Sequence, residues 1–173
     1  MFQLGTYVAC IAEGSQEAAI LDILLDNDLL IFDRGKMIDG QVLRCRSASS
    51  FESNFLRKGY EGKITVFRIH DSRRENFKLS KAYTHKVDVV NIITAPEIEM
   101  LIILSENKYI QFKKMKLKPS LFCKIHLNYH NVKSYEFTKK YFSDSNVLVN
   151  AIKEYVRVSQ KQKGENTLLD LLR

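Results

Sequence analysis

Tyr7-Val-Ala-Cys-Ile-Ala12, broken off by Glu13-Gly14-Ser15, is the stretch on which the fold turns. Apolar residues in a row, without polar alternation, describe a strand covered on both faces, as strands of parallel sheets are. Ser15 is a fair N-cap. From Gln16 to Asn27 the positions Ala19, Ile20, Ile23, Leu24 and Asn27 follow the i, i+3, i+4 spacing of a helix, apolar apart from the last. Strand, glycine turn and helix, in that order, open an α/β unit.

Outward from there, Leu29 to Phe32 is a second apolar run, closed by Asp33-Arg34-Gly35. Val42 to Arg46 reads as a short strand, and Ser49 or Ser50 as the cap of a helix reaching Arg57. Lys63 to His70 is the clearest strand, rich in β-branched residues and ending at Asp71. Lys86 to Thr94 is another, ending at Ala95-Pro96. Pro96 suits the first turn of a helix that Glu97 to Leu104 would continue. Beyond Ser105 the pattern predicts helices near 107–116, 119–127, 134–142 and 144–160, then a docked helical turn at Leu168 to Leu172. Strands alternating with helices predict an α/β fold: a mostly parallel sheet flanked by helices, with a helical C-terminal extension. Residues 1–106 read as the α/β core and 107–173 as a basic extension packed on the same domain. No repeat, low-complexity segment or dividing linker interrupts them.

The 173 residues, 45% of them hydrophobic, suffice for one real core. Cys10, Cys45 and Cys123 are odd in number and far apart, which argues against a disulfide framework and for a reducing compartment. The start lacks a basic n-region and cleavage site, and every apolar run falls short of the ~20 residues that span a bilayer. The expectation is a cytoplasmic protein without membrane contact.

The net charge of +7 is unevenly spread. Residues 1–107 hold 13 Lys/Arg against 15 Asp/Glu, whereas residues 108–163 hold 13 against 3. A basic half joined to a near-neutral half suits an anionic partner, nucleic acid above all. A solvated lysine face on ordinary helices explains the same numbers.

In an open α/β sheet, ligands sit beyond the carboxyl ends of the strands. Three of the predicted strands end there in acidic residues: Glu13 with Glu17, Asp71, and Glu97 with Glu99. Clustered carboxylates repel one another unless a cation offsets them. Mg²⁺ uses such oxygen donors while keeping waters and binding substrate phosphate, and it can polarise a phosphoryl group and activate water. Charged residues also follow strands simply because the chain has reached the surface.

The order strand–Glu13-Gly14–helix, then strand–Asp71-Ser72-Arg73, resembles the Toprim domains of topoisomerases, primases and OLD-type and RloB-like nucleases. Glu17 matches the second acid of the Glu-Gly-x-x-Glu of the latter two groups. Ala95-Pro96-Glu97-Ile98-Glu99 looks like the Asn-Pro-x-x-Glu of RloB-like proteins, its glutamate falling on Glu99. The resemblance spans roughly residues 7–104 and rests on short motifs in order. It implies a Mg²⁺- or Mn²⁺-dependent nuclease, in which Glu13, Asp71 and Glu17 would hold metal. Glu13, Asp71, Glu17 and Glu99 would carry catalysis, in a bacterial (phage) defence setting and with nucleic acid, or a partner protein of a defence complex, as partner. One position departs. Arg73 stands where the family has the second Asp of Asp-x-Asp, and arginine cannot ligate Mg²⁺ but can grip phosphate. Arg74 and Lys78, with Lys81 nearby, would add phosphate contacts. Alternatively the departure marks a degenerate module that binds nucleic acid or a partner protein without cleaving.

Other motifs are thinner. Cys123-x-x-His126-x-x-x-His130 has the spacing of half a zinc site, with no second pair near it. His70 could serve as acid or base, or simply end a buried strand. Tyr129, Tyr135, Phe137, Tyr141 and Phe142 lie among Lys133, Lys139 and Lys140; such aromatics can stack on bases, but Tyr135, Thr138 and Phe142 at helical spacing favour core packing. Neither a P-loop nor a nucleophile elbow is present.

Overall fold

In the computed structural model, which describes residues 2–173, three parallel strands form the sheet: β1 (Tyr7–Ala12), β2 (Ile64–His70) and β3 (Val87–Ile93). β2 lies in the centre, paired with both neighbours. Ala12 stands opposite Ile69, and His70 opposite Ile93. The three carboxyl ends therefore finish level, and whatever follows each strand emerges along one rim.

Seven α-helices accompany the sheet among the described residues: α1 (Ser15–Asp26), α2 (Ala48–Asn54), α3 (Met100–Ser105), α4 (Tyr109–Met115), α5 (Pro119–His126), α6 (Tyr135–Tyr141) and α7 (Ser145–Val158). This is the α/β class that the strand–helix alternation predicts. Side chains alternate across a strand. On β2, Phe67 and Ile69 join a large core with residues of α1, α3, α5 and α7, while Ile64 and Val66 join a smaller one with Phe51 of α2 and Leu43. Arg68 and His70 fall on this second face, and both are buried.

α1 departs from the one-sided helix that its spacing predicts. Ala18, Leu21 and Leu25 are buried as well as Ala19, Ile20, Ile23 and Leu24. The reason lies far along the chain: α6 covers the outer side of α1. There the Tyr135 hydroxyl donates to Asp22 (2.9 Å), and Lys139 meets Asp26 (2.9 Å). Asn27 caps the helix, its side-chain amide donating to the Ile23 carbonyl (2.8 Å).

Several local expectations change: Gly14, not Ser15, is the N-cap residue of α1, and Ser47, not Ser49 or Ser50, caps α2. Val42 to Arg46 contributes one parallel bridge, Leu43 to Ile11, because Ser47 already caps α2 and leaves no length for a ladder. α2 itself ends at Asn54, short of Arg57, and a 3₁₀ turn over Leu56–Lys58 follows. Pro96 does not start a helix. Its peptide bond with Ala95 is cis, residues 97–99 make a turn, and α3 begins at Met100 because Glu99 is its N-cap residue.

The C-terminal segment returns to the α/β part. Ile93 donates its N–H to the Asn166 carbonyl (2.8 Å), and Leu172 bridges Leu30 in antiparallel sense. Leu168 and Leu171, in a 3₁₀ turn, enter the large core. The apolar helix positions 107–173 thus share one core with residues 1–106. No described helix is long and apolar enough to cross a membrane.

Candidate functional site

Because the strand ends are level, Glu13 and Asp71 emerge side by side: the Asp71 N–H points to the Glu13 carboxylate at 3.4 Å. Both are exposed. Glu17, one turn into α1, turns back towards them and is almost wholly buried. Gly14 makes room for it, since a Cβ at that position would stand 2.6 Å from the Glu17 carboxylate. Glu99 reaches the same place from the turn before α3, also buried. All four line one cleft of about 340 Å³, together with Glu97, Gln16, Arg44, Arg46 and Lys133.

Burial pushes the Glu17 carboxyl up to about 7, although a hydrogen bond with its own N–H works against this; the negative charges of Glu99, Glu13 and Asp71 raise it further. Burial also raises Glu99, offset in part by Lys133, whose ammonium lies 3.6 Å from its carboxylate. Glu97 serves the scaffold: it accepts the Ser120 N–H (2.8 Å) in the first turn of α5. The amide nitrogen of Gln16 is buried and has no partner.

The remaining sequence candidates go elsewhere. Arg73 lies outside the cleft, its guanidinium paired with Glu165 at 2.5 Å and 3.3 Å. Arg74 and Lys78 are exposed and do not line the cleft. His70 ends β2 as a buried residue with Nε2 3.1 Å from the Asn91 side chain. Cys123 is buried in the core, and His126 stacks on Phe122 at 4.9 Å. Tyr129, Phe137 and Tyr141 pack on one another, and the Tyr129 and Tyr141 hydroxyls both donate to Glu106 (2.7 and 2.8 Å). Of the face that helical spacing favours as core, Thr138 and Phe142 are fully buried and Tyr135 half-buried; Tyr129, Phe137 and Tyr141 are half-buried against the same core.

Arg44, Arg46 and Lys133 are the cleft residues that the sequence reading passed over. For the arginines a signal existed: they alternate with the buried Leu43 and Cys45, which puts both on the opposite side of an extended segment. Arg44 donates to the Ser15 hydroxyl (3.0 Å) at the start of α1. Lys133 carries no local signal and arrives only through the packing of the segment before α6.

Compared with known protein families, curated proteins and solved structures, the chain matches none.

In kind, the carboxylates fit a hard divalent cation: all are oxygen donors, and one of them, Glu17, is raised to about 7 chiefly by burial and further by the charges of its neighbours. In this conformation, however, no three His, Cys, Asp or Glu groups among the described residues are close enough to hold an ion. A cation would have to draw the carboxylates together. With arginines on the rim, the cleft offers acid–base groups and phosphate donors side by side.

Proposed function

We propose that the protein is a Toprim-like, divalent-metal-dependent nuclease acting on nucleic-acid phosphodiesters. The observation that carries this reading is the convergence of Glu13, Glu17, Asp71 and Glu99 on one cleft beyond the carboxyl ends of the parallel strands. Glu13, Asp71 and Glu17 would hold Mg²⁺ or Mn²⁺, and the metal would supply a polarised phosphoryl group and an activated water. Glu17, which burial raises to about 7 in the metal-free cleft, would give up its proton as the cation binds, so metal binding should tighten as pH rises towards neutrality. Arg44 and Arg46 take the phosphate-gripping role expected of Arg73, since Arg73 is engaged by Glu165. The lysine-rich helices after residue 107 supply the wider anionic contact. Incubation of the purified protein with single- and double-stranded DNA and RNA, with and without Mn²⁺, tests this. Glu13→Ala and Asp71→Ala should each abolish metal-dependent cleavage with the circular dichroism spectrum unchanged. Undiminished cleavage by both variants would sink the reading.

A second reading, a non-cleaving nucleic-acid or partner-binding module, draws on Arg73, which stands at the position of a family ligand and faces Glu165 instead. It expects binding that weakens steeply with salt, needs no divalent metal, and survives loss of Glu13 or Asp71.

A further inference from the structure

On the face of β2 that packs against α2, the residues run Ile64, Val66, Arg68, His70, and the last two leave the apolar core for a second, smaller cavity of about 190 Å³. A buried guanidinium needs a counter-charge. Glu75 provides it, paired with Arg68 Nη2, and the same carboxylate oxygen lies 3.7 Å from His70 Nδ1. Phe77 stacks beneath the guanidinium, 4.5 Å away, and Asn91 contacts both Arg68 Nη1 (3.3 Å) and His70 Nε2 (3.1 Å). The Arg68 and His70 side chains are 5% and 3% exposed, yet Arg68 Nε and His70 Nδ1 have no hydrogen-bond partner.

The partner they do have comes from weak ground. Glu75 sits in the segment between β2 and β3, which has no helix or strand, and its own side chain is 36% exposed. One carboxylate leaves two rigidly placed nitrogens unanswered, whereas a tetrahedral oxyanion carries enough acceptors for Arg68 Nε, Arg68 Nη2 and His70 Nδ1 together, the ring binding it as imidazolium because Nε2 already donates to Asn91 Oδ1. Arg46 stands at the wall as a further cation; Glu13 and Glu75 are the acids facing the cavity.

We propose that this cavity is a phosphoryl-group site, with Glu75 standing in for the phosphate and displaced when it binds. Glu13 and Arg46 line both this cavity and the carboxylate cleft, so a group held by Arg68 lies next to the candidate nuclease centre. The site itself requires neither metal nor cleavage.

The test is calorimetric titration with inorganic phosphate in EDTA, where any failure of the nuclease reading has no effect. Glu75→Gln should bind phosphate at least tenfold more tightly than the wild type, and phosphate should raise its melting temperature more. Adding His70→Gln should reverse most of that gain. Equal affinity of Glu75→Gln and wild type, or no binding by either, overturns the proposal. Should Glu75→Gln fail to fold, the His70 ring resonances of the wild type decide: phosphate must shift them, and unmoved resonances up to the solubility limit overturn it. Parallel titrations with 5′-phosphorylated and 5′-hydroxyl oligonucleotides identify the source. A preference for the phosphorylated end assigns a nucleic-acid terminus, and equal binding of the two, with phosphate still bound, assigns a free phosphate compound.

Discussion

Glu17 is the residue whose surroundings most constrain the site. Its folded-state pKa of about 7 lies above the ordinary value of 4.5, so the fold binds its proton more tightly than the unfolded chain does. Its stabilising contribution is complete below about pH 4.5 and is lost as pH rises towards 7, a change of up to about 3 kcal/mol. Asp26, Glu165 and Asp170 are shifted down by cationic or N–H partners, so their contribution fades only in more acidic solution, a separate window. Glu17→Gln should therefore flatten the fall in melting temperature between pH 5 and about 7. An unchanged slope in the variant would show that Glu17 is not the titrating group, with the buried, upward-shifted Glu99 the next to test. At this scale the sequence was legible where local order sufficed: Glu13, Glu17, Asp71 and Glu99 follow strands, and level strand ends bring them together. Arg73 was misplaced because its partner, Glu165, lies in a distant segment and no local pattern announces it.

Among the elements, the turn at Leu168–Leu171 and the ion pair between Arg73 and Glu165 both tie the C-terminal segment down, by different means. Leu171 is fully buried, and Leu171→Ala should cost about 2–5 kcal/mol in urea unfolding. Arg73 is 36% exposed, so water screens its pair, and Arg73→Ala should cost less than about 1 kcal/mol. A larger loss for Arg73→Ala than for Leu171→Ala would reverse this ranking. Helix existence was readable from periodicity for α4 to α7, helped by Pro119 in the first turn of α5 and by the caps Ser134 of α6 and Asp144 of α7. The burial of α1 on more than one face was not readable, since its outer side is covered by α6, more than a hundred residues later.

For the whole molecule, the division of charge is the feature with measurable reach. The near-neutral part supplies the sheet and the carboxylates of the cleft, and residues 108–163 supply the excess cation, Lys133 of the cleft among it. Binding of any nucleic acid should weaken as a power of salt concentration, in proportion to the phosphates neutralised. Charge-reversing Lys113 and Lys114, both in α4, should lower that slope while leaving the carboxylate cleft intact. A slope unchanged by this pair would remove α4 from the contact. The fold class was legible because strands and helices alternate in order. The unity of the core was not, because the contacts that join residues 107–173 to the sheet are long-range.

The Asn166 bridge to β3 has a consequence for biosynthesis. Ribosomes extend chains from the N-terminus, so β1, β2 and β3 emerge well before the residue that bridges the carboxyl end of β3 at its far edge. During that interval the nascent chain carries an open strand edge, a template for pairing with other chains. Asp88 and Asn91, exposed on β3, are polar residues of the sort that discourage such pairing, before translation delivers Asn166 and afterwards along the rest of the edge.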